Sequence, residues 1–121
     1  MTVKEAISTA DEMRPNTLCA QQKLKWLSDL EHRIYSEIYL THENEDIPFT
    51  DFDSFGNDTV LFAPPPYDEL YTLQLCAMLD FYHAEYDRHN NDTKLFDSLY
   101  TAFARLWHAQ HEPISEQIIN R

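Results

Sequence analysis

The sequence predicts an all-α domain with four helices: a short helix, a long helix, an irregular acidic insert and a long antiparallel helical hairpin. Three observations support this fold class. The 121 residues include a single glycine, whereas all-β folds need many glycine-rich turns. Apolar residues recur at helical spacing over most of the chain. With 43% hydrophobic and 13% aromatic residues, the chain can bury one core, and its length fits a single domain over residues 1–121.

The first two helices follow from capping and periodicity. Thr2 and Glu5 have the spacing of a capping box, which predicts a short helix over about 3–13 that ends before Pro15. A longer helix is predicted from about 17–19 to 42, because its apolar residues fall in one arc at 100° per residue. Those residues are Leu24, Leu27, Leu30, Ile34, Tyr35 and Ile38. Glu31 lies close to this arc, and we expect it to pair with Arg33 or Arg88.

An irregular insert is predicted over residues 43–66, where no helical period is present. It holds four of the six prolines, and residues 59–62 have the composition of a short strand. Loops of this length in compact domains are usually functional or disordered. The insert also carries four phenylalanines, which need a surface to cover on this chain or on a neighbour. They are Phe49, Phe52, Phe55 and Phe62.

The helical hairpin is predicted as a helix over about 67–89, a tight turn at residues 90–92 and a helix over about 93–111. Residues 113–121 follow as a short tail after Pro113. The first helix of the hairpin is apolar around most of its circumference, so we expect it to be central or covered by a partner. Phe81 is expected in the core, as are Leu95 and Phe96, whereas Asp80 falls on the narrow polar stripe.

The net charge of −12 arises from one block of the sequence. Between Ile34 and Asp87 the chain has twelve acids and no Lys or Arg, and outside it nine acids balance nine bases. Crowded like charges destabilise a compact state unless they are solvated or used. They also argue against binding to nucleic acid, which relies on Lys and Arg.

No strong catalytic motif is present, and we expect neither an enzyme nor a cofactor. Asp29 and His32, like Asp80 and His83, have the spacing of the acid–histidine pairs in di-iron bundles. Each pair falls on a polar helix face, so we expect solvated side chains and no metal. The acids of the insert lack the order of an EF-hand loop. Neither Cys19 nor Cys76 lies in a CxxC pair and both fall in helical pattern, so we expect two buried or half-buried thiols in a reducing compartment and neither a disulfide nor a metal site.

Three segments resemble a known family. They read KLKWLSDLE at residues 23–31, PPYDELY at 65–71 and DFYHAEYDRHNN at 80–91. In these segments the chain is similar to the head–tail connector, or neck adaptor, proteins of tailed phages and prophages, and the resemblance covers roughly residues 14–107. The resemblance implies a structural protein that forms helical rings below the portal, without catalytic residues. The resemblance implies a tyrosine more often at position 89, where this chain has His89.

The resemblance and the composition together predict a ring subunit that binds itself and portal or tail-completion proteins. It would act in the virion neck, or in the bacterial cytoplasm during assembly, with no membrane and no sequence-specific nucleic acid as partner. The N-terminus has no apolar signal-peptide core, which agrees with an intracellular protein. The alternatives are an acidic DNA mimic, a helical protein-binding module, a metal-dependent enzyme and a monomeric helical domain.

Two sets of site residues follow from this hypothesis. The interface candidates are Phe49, Phe52, Phe55, Phe62, Tyr71, Tyr82 and Tyr86. The candidates for an acidic surface along a DNA passage are Glu43, Glu45, Asp46, Asp51, Asp53 and Asp58. A wall of negative charge would repel DNA phosphates, and at physiological salt such a field reaches about 8 Å.

Overall fold

The computed structural model describes residues 1–39 and 55–110, and the fold is all-α. Four helices follow one another: α1 Val3–Met13, α2 Ala20–Ile34, α3 Glu69–Tyr82 and α4 Tyr86–Gln110. A π-helical segment, Tyr35–Tyr39, continues α2. The fold class and the order of the elements were therefore predicted correctly.

Helix α1 begins and ends as its sequence predicts. The Thr2 hydroxyl accepts a hydrogen bond from the Glu5 backbone N–H at 3.2 Å, and the Glu5 carboxylate accepts one from the Thr2 N–H at 3.0 Å. This capping box satisfies two N–H groups that would otherwise lack partners at the start of a helix. Val3, Ala6 and Ala10 then bury one side of the helix.

The segment that precedes α3 packs against the start of α1. The N–H groups of Val3 and Lys4 donate to the carbonyls of Thr59 and Asn57, each at 3.0 Å. Only one isolated β-bridge, between Thr2 and Val60, forms here, so the strand predicted at 59–62 is absent from the described residues. The other part of the predicted insert, residues 43–54, lies outside the described residues.

Helix α3 is the centre of the core, as its nearly continuous apolar surface predicts. It packs against α1, α2 and α4. Tyr71, Leu75 and Leu79 on α3 are fully buried, and Phe103 reaches the same core from α4. Burial on all of these sides leaves little of α3 in contact with solvent.

The corner between α3 and α4 lies seven residues before the predicted turn. Helix α3 ends at Tyr82, and residues 90–92 belong to α4. The corner is a Schellman motif, because the Ala84 N–H donates to the Phe81 carbonyl at 3.1 Å and the Glu85 N–H to the Asp80 carbonyl at 2.8 Å. Ala84 has the left-handed φ of 59° that this motif requires. Glycine usually occupies this position, so the sequence signal for a helix end is missing here.

The shifted corner corrects two predictions about the core. Phe81 lies in the last turn of α3 and is 55% exposed, and Leu95 is 57% exposed, so neither is a core residue. Phe96 is buried as expected.

The exposure of Phe81 gives a quantitative test. Phe81→Ala should cost less than about 1 kcal/mol, because most surface substitutions change stability little. Phe103→Ala, at a residue that is 1% exposed, should cost about 3–5 kcal/mol. Urea unfolding of both variants measures the difference, and equal losses would show that Phe81 belongs to the core.

Candidate functional site

A buried charge cluster joins three helices around Arg14. The Arg14 Nε lies 2.9 and 3.0 Å from the two Asp80 carboxylate oxygens, and its Nη2 lies 3.3 Å from Asp92. The Asp80 side chain is completely buried, that of Asp92 is 9% exposed and that of Arg14 is 17% exposed. Arg14 follows α1, Asp80 belongs to α3 and Asp92 to α4, so one guanidinium connects three elements. The polar stripe predicted for α3 was wrong at Asp80, which faces the interior.

The two carboxylates of the cluster have opposite pKa shifts. Burial opposes ionisation of Asp80, but hydrogen bonds with Asp92 and Arg14 hold its pKa below the ordinary value. Burial and the neighbouring Asp80 carboxylate raise the pKa of Asp92 to about 6. Asp92 is therefore the member of the pair that takes up a proton first as the pH falls.

A second polar connection fixes the segment before α3 to the core. The Tyr71 hydroxyl donates to Glu31 at 2.6 Å and accepts from the Ala63 N–H at 2.9 Å, while Glu31 also accepts from the Phe62 N–H at 3.0 Å. Burial raises the pKa of Glu31, although both hydrogen bonds oppose the shift. The expected pairing of Glu31 with Arg33 or Arg88 is wrong. Arg33 instead pairs with Glu37 and lies over the Tyr100 ring.

Exposed aromatic rings cluster at the corner between α3 and α4. Phe81, Tyr82 and Tyr86 are each more than half exposed. The ring centroids of Phe81 and Tyr86 are 5.8 Å apart, and Tyr82 lies 5.6 Å from Trp26 of α2. These three residues are here called the aromatic corner. Contiguous exposed apolar side chains typically mark interaction sites, whereas isolated ones are normal.

The aromatic corner is held by ordered neighbours. Phe81 also contacts the His89 ring, at a centroid distance of 5.3 Å. The His89 Nδ1 lies 2.7 Å from the Ala77 carbonyl and so donates the proton to it, because a carbonyl can only accept. Arg88 pairs with Glu85 at 3.8 Å and with Asp80 at 3.6 Å, which links the corner to the buried cluster.

The structure separates the predicted interface residues into three groups. Tyr82 and Tyr86 lie on the surface. Phe55 and Tyr71 are buried in the core, and the half-buried Phe62 packs on Phe103 and Trp107, so these three contact their own chain. The reason is that the segment before α3 folds back onto α1 and α4. Phe49 and Phe52 lie outside the described residues.

Of the predicted acidic-surface residues, Asp58 is exposed in the turn before Val60. The other five lie outside the described residues: Glu43, Glu45, Asp46, Asp51 and Asp53. Sequence reasoning missed Arg14, which was interpreted only as the end of α1. An acid on an otherwise apolar central helix was the available signal that a basic partner was needed.

The acid–histidine pairs do not form a joint site. Asp29 pairs with Lys25 on the surface, and the His32 Nδ1 lies 2.9 Å from the Ser28 carbonyl. Asp80 is held by Arg14. Across residues 1–39 and 55–110, no three His, Cys, Asp or Glu side chains come together as metal ligands. In the same residues no helix is both long and apolar enough to cross a membrane.

Comparison with protein-family models, curated proteins and solved structures finds no match for this chain. The fold and its exposed features define a small all-α protein with an aromatic corner and a buried charge cluster.

The buried ion pair between Arg14 and Asp80 can be tested by removing one charge. Asp80→Asn leaves the Arg14 charge in a largely buried place, and breaking such pairs typically costs 3–5 kcal/mol. Because Asp92 remains beside Arg14, we expect a loss of roughly 2–4 kcal/mol in urea unfolding. The control is Asp29→Asn in the exposed pair with Lys25, which should cost less than about 0.5 kcal/mol. Equal losses in the two variants would contradict a structural role for the cluster.

The raised pKa of Asp92 predicts a pH-dependent contribution to stability. The folded state keeps the Asp92 proton up to a pKa of about 6, whereas the unfolded chain releases it near about 3.9. Between these values the folded state binds more protons, so this contribution to the free energy of unfolding falls as pH rises from about 4 to 6. Asp92→Asn removes that contribution.

The measurement compares the variant with the wild type. The free energy of unfolding of Asp92→Asn minus that of the wild type should be larger at pH 7 than at pH 4.5. Asp97→Asn, an exposed change on the same helix, controls for the general effect of removing negative charge. Parallel stability curves for wild type and Asp92→Asn would show that Asp92 titrates normally.

Proposed function

We propose that this chain is a non-enzymatic subunit of a protein assembly. The observation that supports this proposal is the aromatic corner, where Phe81, Tyr82 and Tyr86 are each more than half exposed and the rings of Phe81 and Tyr86 contact each other across the turn between two helices. Tyrosine and phenylalanine are enriched at protein interfaces, where a large apolar ring excludes water while a tyrosine hydroxyl keeps a polar contact. A surface of this kind fits protein binding.

The specific form of the proposal is a head–tail connector of a tailed phage or prophage. It rests on the resemblance of residues 23–31, 65–71 and 80–91 to neck adaptor proteins. In this form, copies of the chain make a ring between the portal and the tail. A ring subunit needs two surfaces, one for its own core and one for its neighbour, and α3 together with the aromatic corner supplies both kinds of apolar surface.

The acidic residues support a surface that lets DNA pass without binding it. Asp58, Glu69 and Asp87 are exposed, so negative charge reaches solvent on the described part of the chain. An acidic DNA mimic is the alternative, and it would need its carboxylates displayed in rows toward solvent. Asp80 is buried and Glu31 is used inside the fold, which removes two acids from such a display.

Assembly is the test of this proposal. We expect light scattering to show masses above the 14.3 kDa monomer as the protein concentration rises. Electron microscopy should show rings when a portal protein of a tailed phage is added. A strict monomer at high concentration that also fails to assemble on the portal would overturn the proposal.

A further inference from the structure

Helix α4 exposes a polar stripe along most of its length. Four of its six Asp, Lys and Arg side chains are exposed and have no ion-pair partner among residues 1–39 and 55–110. The other two, Arg88 and Asp92, are paired within the fold. The unpaired charges are Asp87, Lys94, Asp97 and Arg105. They are here called the α4 stripe, together with the exposed Asn90, Asn91, Ser98, Thr101 and Ala102 between them.

The four charges alternate in sign and mirror one another about the middle of the helix. Asp87 and Arg105 lie nine residues on either side of Phe96. Lys94 lies two residues before Phe96, and Asp97 lies one residue after it. When two copies of a helix pack antiparallel around a two-fold axis, positions equally distant from that axis come opposite each other. With the axis at the level of Phe96, every charge of the stripe therefore faces an opposite charge of the second copy.

The directions of these side chains permit that pairing. At about 100° per residue, Asp87 and Arg105 point the same way from α4, and Lys94 differs from them by about 20°. Asp97 lies about 60° to one side of Lys94, which the long, flexible lysine side chain can reach across. Asp87 of each copy thus faces Arg105 of the other, and Lys94 faces Asp97.

The two halves of the stripe also differ in shape. The C-terminal half is a shallow depression lined by Asp97, Ser98, Thr101, Ala102 and Arg105. In the antiparallel pair, the N-terminal half of the second copy lies over this depression, which places Asn91 opposite Thr101 and Asn90 opposite Ala102. The small side chains leave room for the longer ones, and the Asn91 amide can hydrogen-bond the Thr101 hydroxyl.

The same axis accounts for the exposed Leu95. This residue is next to Phe96 in the sequence, so the Leu95 side chains of two copies come beside the axis. They lie on the same edge of the contact, because a two-fold axis perpendicular to the helices keeps each edge on its own side. Glu69 borders this edge beside Ser98. Ser98 is opposite Lys94 of the second copy, so the unpaired Glu69 carboxylate also lies near a base.

We infer that α4 of one copy packs antiparallel on α4 of a second copy through the α4 stripe, around a two-fold axis at the level of Phe96. The contact contains each of the two ion pairs twice. It does not depend on the proposed function and does not use the aromatic corner, since Tyr86 lies about 100° around α4 from Asp87 and Arg105. A two-fold contact closes after two copies, so the aromatic corner of each copy stays available.

The dimer is expected to be weak. Exposed ion pairs contribute little to association, and each copy carries a net charge of −12. Self-association is therefore measured by sedimentation velocity at high protein concentration and at physiological salt, where repulsion between charges is screened beyond about 8 Å.

Charge reversal tests the register of the two helices. Asp87→Lys places two bases opposite each other at both ends of the contact, and Arg105→Glu places two acids there. We expect each variant alone to dimerise more weakly than wild type, on the order of tenfold or more. In an equal mixture of the two variants every pair is again of opposite charge, so the heterodimer should form about as strongly as the wild-type dimer.

Asp58→Lys and Lys4→Glu are the matched controls. They make the same charge changes at exposed positions outside α4, and they should leave self-association as it is in the wild type. All four changes are at exposed residues, so we expect wild-type circular dichroism spectra.

Cross-linking tests the position of the axis without any change of charge. Packed helix axes lie about 8–10 Å apart, so Leu95→Cys brings two thiols to about that distance across the axis. Ala109→Cys, also exposed on α4, places them about 39 Å apart along the helices. With the exposed Cys19 replaced by serine, a short bismaleimide should link Leu95→Cys chains and leave Ala109→Cys chains unlinked. This measurement tests the same contact if a charge-reversed variant does not fold.

Several results would overturn the contact. Single charge reversals that dimerise as strongly as wild type would do so, as would a mixture that associates no better than its components. Equal cross-linking at the two cysteine positions would also contradict the axis at Phe96.

Failure of this inference is distinguishable from failure of the proposed function. A chain that is monomeric alone but assembles on a portal protein would overturn the dimer and leave the connector proposal intact. A chain that dimerises as described but does not assemble on the portal would do the reverse. Tyr86→Glu, which changes the aromatic corner, should leave the dimer unchanged, and loss of the dimer in this variant would contradict the assignment to the α4 stripe.

Discussion

The contact between Arg14 and two buried carboxylates connects the end of α1 to both helices of the hairpin. Three of the four helices contribute to it, and the group in the middle comes from the residue that ends α1. Buried charges are costly to remove from water, and their attraction offsets that cost only where each has close partners. Arg14 meets this condition with a forked contact to Asp80 and a longer one to Asp92. The position of α1 on the hairpin is thereby specified by charge as well as by apolar packing.

The backbone of the described part of the insert both accepts and donates hydrogen bonds to the rest of the fold. Its backbone carbonyls accept from the first N–H groups of α1, which no residue of that helix satisfies. Its N–H groups at Phe62 and Ala63 donate to Glu31 and Tyr71. An irregular segment is stable in a core only when its backbone groups find partners, and here a helix start and a buried acid–tyrosine pair supply them. Phe55 and Leu61 are buried as a consequence.

Local signals in the sequence predicted the local structure well, and contacts between distant residues were not predictable in the same way. The capping box fixed the start of α1, and Pro15 fixed its end. The apolar arc of α2 was also correct. The corner of the hairpin was misplaced because alanine occupies the left-handed position at residue 84, and the polar residues Asn90 and Asn91 imitate a turn while lying inside α4.

The errors at the candidate sites have the same two causes: the misplaced corner and contacts between residues that are distant in the sequence. Because the corner lies earlier than predicted, Phe81 is in the last turn of α3 and is exposed, whereas it was expected in the core. Asp80 was predicted to be solvated because its partner Arg14 lies 66 residues away, and helical periodicity gives no information about pairs so distant in the sequence. Tyr71 was expected at an interface because of its hydroxyl, yet Glu31 and Ala63 satisfy that hydroxyl inside the core. Tyr82 and Tyr86 are exposed, and their predicted role at an interface stays a prediction.

The backbone geometry at Ala84 has a consequence for recognition. Because the two hydrogen bonds of the corner fix the direction in which α4 leaves α3, Phe81 and Tyr86 come from neighbouring helical turns whose relative orientation is set before any partner arrives. Ordering of side chains and loops is a major entropic cost of association, at roughly 0.5–1.5 kcal/mol for each flexible side chain. A backbone already fixed by hydrogen bonds at two helix ends removes the part of that cost that comes from ordering a loop. The left-handed backbone at Ala84 therefore fixes the positions of Phe81 and Tyr86 relative to each other in the free chain.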